Sequence, residues 1–302
     1  MRYVSQINKR KIMKPKVTVL SVWFNRFELL PSSINSLLKQ TYENFEVIII
    51  NDGSTDPRVD SYMLNLSEKD NRITYHKTTN KGFCSSIASA LKNINSDFVA
   101  IHGAGDISLP KRLELQVNAL QNDRSISFVG SKIKNYSKFI GQTDKSSPQR
   151  ITKKKLLFKS NPFSHGEVMF RMHQYKAAGG YSEFFTYAQD RDLWLRLLNF
   201  GDALILPEFL YEKRNPTDSV SNDVKKLIKQ QQYSFIADMV NSNKNKLKRS
   251  DFDLYDINQL IKKHKNYFYH KRFMYLFIGR LRRFQIRNSI VILKFLLCKC
   301  YR

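Results

Sequence analysis

The chain has 302 residues, of which 51 are lysine or arginine and 26 are aspartate or glutamate, so its formal net charge is +25. This length suits one large domain with an appendage. The excess of positive charge favours a polyanionic neighbour, namely nucleic acid, an anionic membrane surface or a phosphate-bearing substrate. The three cysteines form no C-x-x-C pair and no cluster with histidine, which argues against a zinc site and indicates free thiols in a reducing cytosol.

Short apolar runs alternate with helical patterns along most of the chain. After a polar, basic lead at residues 1–15, which predicts disorder and shows no signal peptide, strands are predicted at residues 16–22, 45–50, 73–76, 97–102, 127–131 and 165–171, with short extended pieces at 203–206 and 209–211. Helices are predicted at residues 28–40, 58–69, 84–91, 111–121 and 190–200, and residues 141–162 are predicted to form a loop. The alternation predicts an α/β fold with a mostly parallel central sheet flanked by helices.

An acidic, glycine-containing turn follows the second predicted strand. The strand itself, from Val47 to Ile50, is β-branched and apolar without alternation, as in a strand that is covered on both faces. Because ligands of open α/β sheets bind outside the carboxyl ends of the strands, Asp52 is expected to accept hydrogen bonds from a ligand there. The alternative is a plain strand-to-helix turn with an aspartate cap.

The glycines of the chain form neither G-x-G-x-x-G after the first strand nor G-x-x-x-x-G-K anywhere, so neither the dinucleotide-binding nor the P-loop motif is present. Four segments, in order, carry a different resemblance: VTVLSVWFNR at 17–26, INSLLKQTYENFEVIIINDGSTD at 34–56, ISLPKRLE at 107–114 and QDRDLWLR at 189–196. Together they resemble glycosyltransferase family 2 over residues 16–221. The resemblance implies the GT-A fold and an inverting transfer from a nucleotide-sugar donor, usually UDP-linked. The implied acceptor is a saccharide or a lipid-linked molecule, in the synthesis of surface polysaccharide or glycolipid.

The resemblance also assigns the donor site. It implies that Asp52 binds the nucleotide base, that Ser21 and Asn25 lie near the nucleotide, and that Asn80 and Lys81 wall the nucleotide site. The segment that begins at Arg214 resembles one that folds over the donor.

Asp190 matches the family's general base, which takes the proton from the attacking acceptor hydroxyl. A sugar hydroxyl is a poor nucleophile near neutral pH, so a carboxylate within hydrogen-bond reach is needed. The amino end of the predicted helix would stabilise its charge, and the alternative is a simple helix cap. Gln189 replaces the usual glutamate, which leaves one carboxylate here unless Asp192 contributes. His165 is expected to be a hydrogen-bonded core residue.

The family's metal-binding D-x-D pattern is altered, because its two acidic positions are Gly103 and Gly105. Three hypotheses follow. Asp106 holds Mg²⁺ or Mn²⁺, with His102 or water completing the shell; cations such as Lys81, Arg191 or Arg214 neutralise the diphosphate directly; or the chain is a catalytically silent GT-A module that binds a nucleotide sugar or a partner enzyme.

The C-terminal part, residues 222–302, is predicted to be a basic, helical extension. From residue 257 onwards it contains no acidic residue, and aromatic and aliphatic residues alternate with lysine and arginine. This pattern favours association with an anionic membrane surface over nucleic-acid binding, with the protein cytoplasmic and peripheral at the inner face of the cell membrane. The alternative is that these helices pack on the main domain.

Overall fold

One mixed sheet organises the protein in the computed structural model, which describes residues 14–135, 147–158, 161–214, 224–242 and 247–263. Its strands within these residues are β1 Val17–Trp23, β2 Phe45–Asp52, β3 Ile73–Thr78, β4 Phe98–Ile101, β5 Ile107–Ser108, β6 Ile126–Asn135, β7 Gln149–Ile151, β8 Met169–Arg171 and β9 Asp202–Lys213. The order is β3-β2-β1-β4-β8-β6-β9-β5, and β7 pairs with β9. The predicted α/β architecture with a mostly parallel sheet is confirmed.

The strand directions bring several chain segments to one edge of the sheet. Strands β1, β2, β3 and β4 run parallel to one another, whereas β8 is antiparallel to both β4 and β6. Since β6 and β9 are parallel to each other, the carboxyl ends of β6 and β9 lie at the same edge as those of β1 to β4. We call this edge the carboxyl edge.

Helices cover both faces of the sheet. They are α1 Leu30–Leu38, α2 Pro57–Lys69, α3 Phe83–Leu91, α4 Arg112–Asn122, α5 Lys153–Phe158, α6 Met172–Ala177, α7 Gln189–Leu197, α8 Val224–Asn241 and α9 Ile257–Lys263. One hydrophobic cluster contains the buried side chains of α1, α2 and α4, and the other those of α3, α7 and α8. Every residue of β1 is buried because apolar layers lie on both sides of it.

Several elements differ from the sequence predictions. Residues 165–167 form a 3-10 helix and not the beginning of a strand, because the close approach of Gly166 to Gly103 replaces strand pairing there. The region from 203 to 211 is one continuous strand, in which a shift of register between the pairs Ser131–Leu206 and Lys132–Phe209 accommodates Pro207. The predicted loop at 141–162 contains β7 and α5.

The described part of the C-terminal region is not separate from the main domain. Phe235, Ile236 and Leu260 are buried in the same cluster as α3 and α7, and the buried Arg191 donates to Asp238 Oδ1 of α8 at 2.6 Å. The apolar side of α8 and α9 therefore packs on the domain. None of the described helices combines the length and the apolarity that crossing a bilayer requires. Residues 1–13 and 264–302, which include most of the predicted lead and the predicted membrane-binding segment, lie outside the described residues.

Candidate active site

Asp52 ends β2 at the carboxyl edge and is 3% exposed. Its Oδ1 accepts hydrogen bonds from the Lys81 backbone N–H at 3.0 Å and from the Ser86 hydroxyl at 2.6 Å. The next residue, Gly53, has φ 75°, and a Cβ built on it would lie 2.6 Å from the Asn80 nitrogen, so this close approach requires glycine. The structure thus places exposed Asn80 and Lys81 beside Asp52.

The loop after β1 is tied to the loop after β2 by Asn25. Its Oδ1 accepts from the Thr55 N–H at 2.9 Å and from the Asp56 N–H at 3.3 Å. Ser21, which was expected near the nucleotide, is 1% exposed and donates its hydroxyl to the His102 carbonyl at 2.9 Å. The Ser21 hydroxyl is therefore engaged inside the protein, where it links β1 to the residue that follows β4.

Asp106 is 7% exposed and both of its carboxylate oxygens accept hydrogen bonds. The Tyr211 hydroxyl donates to Oδ2 at 2.8 Å, and the Arg214 N–H donates to Oδ1 at 2.8 Å. The Tyr211 hydroxyl in turn accepts from the Gly103 N–H at 2.8 Å. Burial raises the pKa of Asp106, although the bond from Tyr211 and the neighbouring positive charges oppose this rise. Asp106 thus ties the loop after β4 to the end of β9.

His102, the other candidate metal ligand, is buried with both ring nitrogens in hydrogen bonds. Nε2 lies 2.9 Å from the Ser33 hydroxyl and Nδ1 lies 3.1 Å from the Ser108 hydroxyl. Burial, helped by the positive charge of Arg112, lowers the pKa of His102 to about 3. This neutral ring is therefore a structural link between α1 and β5.

These residues do not fit the divalent ion that the family resemblance implies. Gly103 and Gly105 offer no side-chain oxygen, and the bonds to Asp106 and His102 described above occupy the remaining candidates. Within the described parts of the chain, no three residues of the types His, Cys, Asp and Glu are grouped so that they could hold a metal ion. A hard cation such as Mg²⁺ or Mn²⁺ requires several oxygen ligands, so the predicted role of Asp106 as its ligand lacks a supporting donor set.

Arg191, proposed above as a diphosphate-binding cation, lies in the interior. It is 3% exposed and donates to Asp238 and, at 2.8 Å, to the Leu156 carbonyl. Arg214 is partly exposed at the carboxyl edge, with Nη1 2.8 Å from the Ser32 hydroxyl. Burial of its guanidinium therefore removes Arg191 from the candidate site, and Arg214 stays in it.

Asp190 lies in the first turn of α7 and is partly exposed. Its Oδ2 accepts a hydrogen bond from Asn161 Nδ2 at 3.1 Å. Asp192, by contrast, is fully buried and accepts from Arg196 at 2.8 Å and from Asn241 at 3.1 Å. Asp190 is thus the partly exposed carboxylate of this helix, whereas Asp192 belongs to the interior.

His165 contacts both Tyr181 and the start of α3. Its Nε2 lies 2.5 Å from the Tyr181 hydroxyl, and its ring lies 5.1 Å from that of Phe83, which follows Lys81 at the start of α3. Burial lowers the pKa of His165 to about 4, and the nearby Asp190 charge opposes the shift. The adjacent Gly166 packs on the backbone of the loop after β4. These contacts link the segment after Asp52 to the loop that holds Asp106, and the charge of Asp190 acts on His165 between them.

Sequence reasoning missed two side chains of this site, Tyr211 and Asn161. Tyr211 lies in a strand that was read only as a short extended piece, and its contact with Asp106 spans 105 positions. Asn161 lies in a stretch that was read as a loop. A short-range pattern gives no signal for either contact.

Comparisons with known proteins agree with this arrangement. The family model described as Glycosyl transferase family 2 matches residues 18–177. EpsE of Bacillus subtilis (strain 168), which is named as a glycosyltransferase, is 31% identical over 211 residues, or 68% of this chain and 75% of EpsE. The O-antigen biosynthesis glycosyltransferase WbnJ of Escherichia coli is 32% identical over 169 residues, or 55% of this chain and 65% of WbnJ.

Solved structures extend the likeness to the fold. S. aureus TarS 1-349 in complex with UDP-GlcNAc has a TM-score of 0.60 at 16% identity, over 92% of this chain and 90% of that chain. A longer TarS chain also has a TM-score of 0.60, at 18% identity. The match covers 79% of this chain and 41% of that chain. Mannosyltransferase PcManGT from Pyrobaculum calidifontis, in complex with GDP-Man and Mn²⁺, has a TM-score of 0.60 at 15% identity over 96% of this chain and 82% of that chain. These likenesses establish the GT-A fold, and with the family match over more than half of its length, the chain belongs to glycosyltransferase family 2.

Proposed function

We propose that this family 2 glycosyltransferase moves a sugar from a nucleotide-sugar donor to a saccharide or lipid-linked acceptor, with inversion, in the synthesis of surface polysaccharide. The observation that supports the proposal is the set of contacts through His165 and Gly166, which links the surroundings of Asp52, Asp106 and Asp190. The relatives support the pathway class, since WbnJ is named for O-antigen biosynthesis. The TarS and PcManGT complexes, which hold UDP-GlcNAc and GDP-Man, support the donor class.

The nucleotide half of the donor would bind at the end of β2. Within the part of the chain that the structure describes, the hydrogen bonds to the Asp52 carboxylate reach Oδ1, so Oδ2 is the oxygen through which this side chain would accept an N–H group of the base. Asn80 and Lys81 lie beside it and are exposed. This geometry orients the donor so that its diphosphate extends towards the loop after β4.

Asp190 would act as the general base. The acceptor hydroxyl gives its proton to this carboxylate as its oxygen forms a bond to the anomeric carbon, and the bond from that carbon to the diphosphate oxygen breaks. A single displacement of this kind inverts the anomeric centre. The acceptor would therefore approach from the side of α7, opposite the departing diphosphate.

The proposal is tested by transfer assays on the full chain with UDP-glucose, UDP-GlcNAc and GDP-mannose, with binding of the same donors measured in parallel. We expect Asp190→Asn to lower turnover by about 10²–10⁴-fold, the usual contribution of a general base, with donor affinity unchanged. Asp253→Asn changes an exposed aspartate far along the chain and serves as the matched control. Turnover by Asp190→Asn at the wild-type rate contradicts the assignment. Donor binding with no turnover in the wild type would instead favour the catalytically silent module.

A further inference from the structure

The loop at Gly103–Asp106 is surrounded by positive charge. Arg26 donates from Nη1 to the Ala104 carbonyl at 3.4 Å, with its backbone at φ 62° turning it towards this loop. Arg214 binds Asp106 through its N–H, and Lys213 precedes it at the end of β9. The side chains of Arg26, Lys213 and Arg214 are all partly exposed. The position at which the family resemblance implies acidic residues is therefore lined with cations in this chain.

One acidic residue, Asp106, is 7% exposed; burial raises its pKa, and Lys213 and Arg26 lie close enough for their charges to oppose this rise. Its carboxylate is turned inwards, and a Cβ atom built on Gly103 would lie 2.4 Å from its Oδ2. At Gly105, φ is +95° and a built Cβ would lie 2.7 Å from Leu29 Cδ1. The loop is thus built on glycine at both positions, and Asp106 fills the space that a side chain at 103 would need. A carboxylate pair at these positions would require the loop to rearrange.

We propose that Arg26, Lys213 and Arg214 bind the donor diphosphate directly and take the place of a divalent metal ion; this rests on the proposed function. Guanidinium groups donate paired N–H bonds to phosphate oxygens, and lysine adds a point charge. As the bond to the sugar breaks, the diphosphate gains negative charge, and donors already held in place stabilise that charge without reorganising. The bond from Arg214 Nη1 to Ser32 and that from Arg26 to Ala104 hold both guanidinium groups at the loop before any ligand binds.

Calorimetric titration of the full chain with UDP and with GDP tests the proposal, first in EDTA and then with Mn²⁺. We expect the dissociation constants in the two conditions to agree within about threefold, since the binding groups belong to the protein. Arg26→Gln and Arg214→Gln should each weaken binding about tenfold, the loss expected for one charged hydrogen-bonding group. Arg124→Gln removes an exposed arginine beyond α4, at the opposite edge of the sheet, and should bind as the wild type does.

Two results would overturn the inference. One is nucleotide binding or donor turnover that EDTA abolishes and Mn²⁺ restores. That result would support the proposed function but would contradict direct binding of the diphosphate by the three cationic side chains. The other is wild-type affinity in both arginine variants. If the wild type neither binds nor turns over any donor in either condition, the proposed function fails together with this inference. Circular dichroism and thermal unfolding of the variants check that the folds match, and the Arg214 N–H bond to Asp106 survives the side-chain change.

Discussion

The side-chain amide of Asn161 donates a 3.1 Å hydrogen bond to Oδ2 of Asp190, and its own Oδ1 accepts from the Phe163 N–H at 3.1 Å. The Phe163 backbone therefore orients the Asn161 side chain, and that side chain orients the Asp190 carboxylate. Ala188, which precedes α7, is in the left-handed region with φ 55°, so the chain enters this helix through a sharp turn directly before Asp190. Asn161 is accordingly a positioning residue for the proposed base.

Replacing Asn161 with alanine should lower kcat by about 10- to 100-fold, because a base displaced by a fraction of an ångström aligns poorly with the acceptor hydroxyl. The donor KM should stay unchanged, since Asp52 lies on the other side of His165. Steady-state kinetics with varied donor concentration separates the two constants. A rise in donor KM with kcat unchanged would place Asn161 in donor binding and contradict the prediction.

Neutralising Asp192 should lower the stability of the fold, whereas neutralising Asp190 should not. It is fully buried and accepts from Arg196, Arg249 and Asn241, so Asp192→Asn leaves a buried guanidinium without its counter-charge. We expect this change to lower the free energy of unfolding by about 3–5 kcal/mol. Asp190→Asn, at a partly exposed position, should change it by less than about 0.5 kcal/mol. Urea unfolding of the two variants measures both values, and equal stability of the pair would contradict this division of roles.

Short patterns in the sequence were enough to predict the buried strands and the residues that follow them. Unbroken apolar runs marked β2 and β4, because strands covered on both faces favour apolar residues at every position, and mainly apolar runs marked β1 and β6. The carboxyl end of β2 followed from the same run, and Asp52 with it. Asp190 was proposed as the base because the segment at 189–196 resembles a family motif. In each case the signal lies within about ten residues of the side chain in question.

The rest depends on contacts between distant segments. Gly103 looked like a lost metal ligand, whereas in the structure it makes room for the Asp106 carboxylate and donates to Tyr211. Arg191 looked like a phosphate-binding cation, but Asp238 of α8 holds it in the interior. Nothing near Arg191 in the chain distinguishes a buried arginine from an exposed one. The partner that decides the matter is 47 positions away.

Tyr211→Phe should loosen the loop after β4. The hydroxyl is fully buried, donates to Asp106 and accepts from Gly103, so its removal leaves one buried N–H and one carboxylate oxygen without a partner. We expect a loss of about 1–3 kcal/mol in the free energy of unfolding and weaker nucleotide binding. Tyr62→Phe, which removes the hydroxyl of a partly exposed tyrosine on α2, should change stability by less than about 0.5 kcal/mol. Unfolding curves that coincide for wild type and Tyr211→Phe would show that the hydroxyl contributes nothing.

Glu167 should make stability fall as pH rises towards neutrality. This carboxyl is fully buried, and burial raises its pKa to about 7 although Ser131 and Arg112 oppose the shift. The folded protein therefore keeps the Glu167 proton up to about pH 7, whereas the unfolded chain releases it above its ordinary pKa of 4.5. Between these values the unfolded state binds fewer protons, so the free energy of unfolding decreases with pH.

The measurement is the difference in unfolding free energy between wild type and Glu167→Gln, which cannot titrate at this position. This difference should shift against the wild type by about 3 kcal/mol between pH 4.5 and 7.5, at 1.36 kcal/mol for each unit of pKa. Burial lowers the pKa values of His102 and His165 to about 3 and about 4. Their effect on the free energy of unfolding has the opposite pH dependence, because the stability they contribute is lost as pH falls below the unfolded value of 6.5. Both histidines are present in both proteins, so their effects cancel in the difference. If the two stability curves run parallel across this range, Glu167 is ionised in the folded protein, and the charge of Arg112 and the Ser131 donors outweigh its burial.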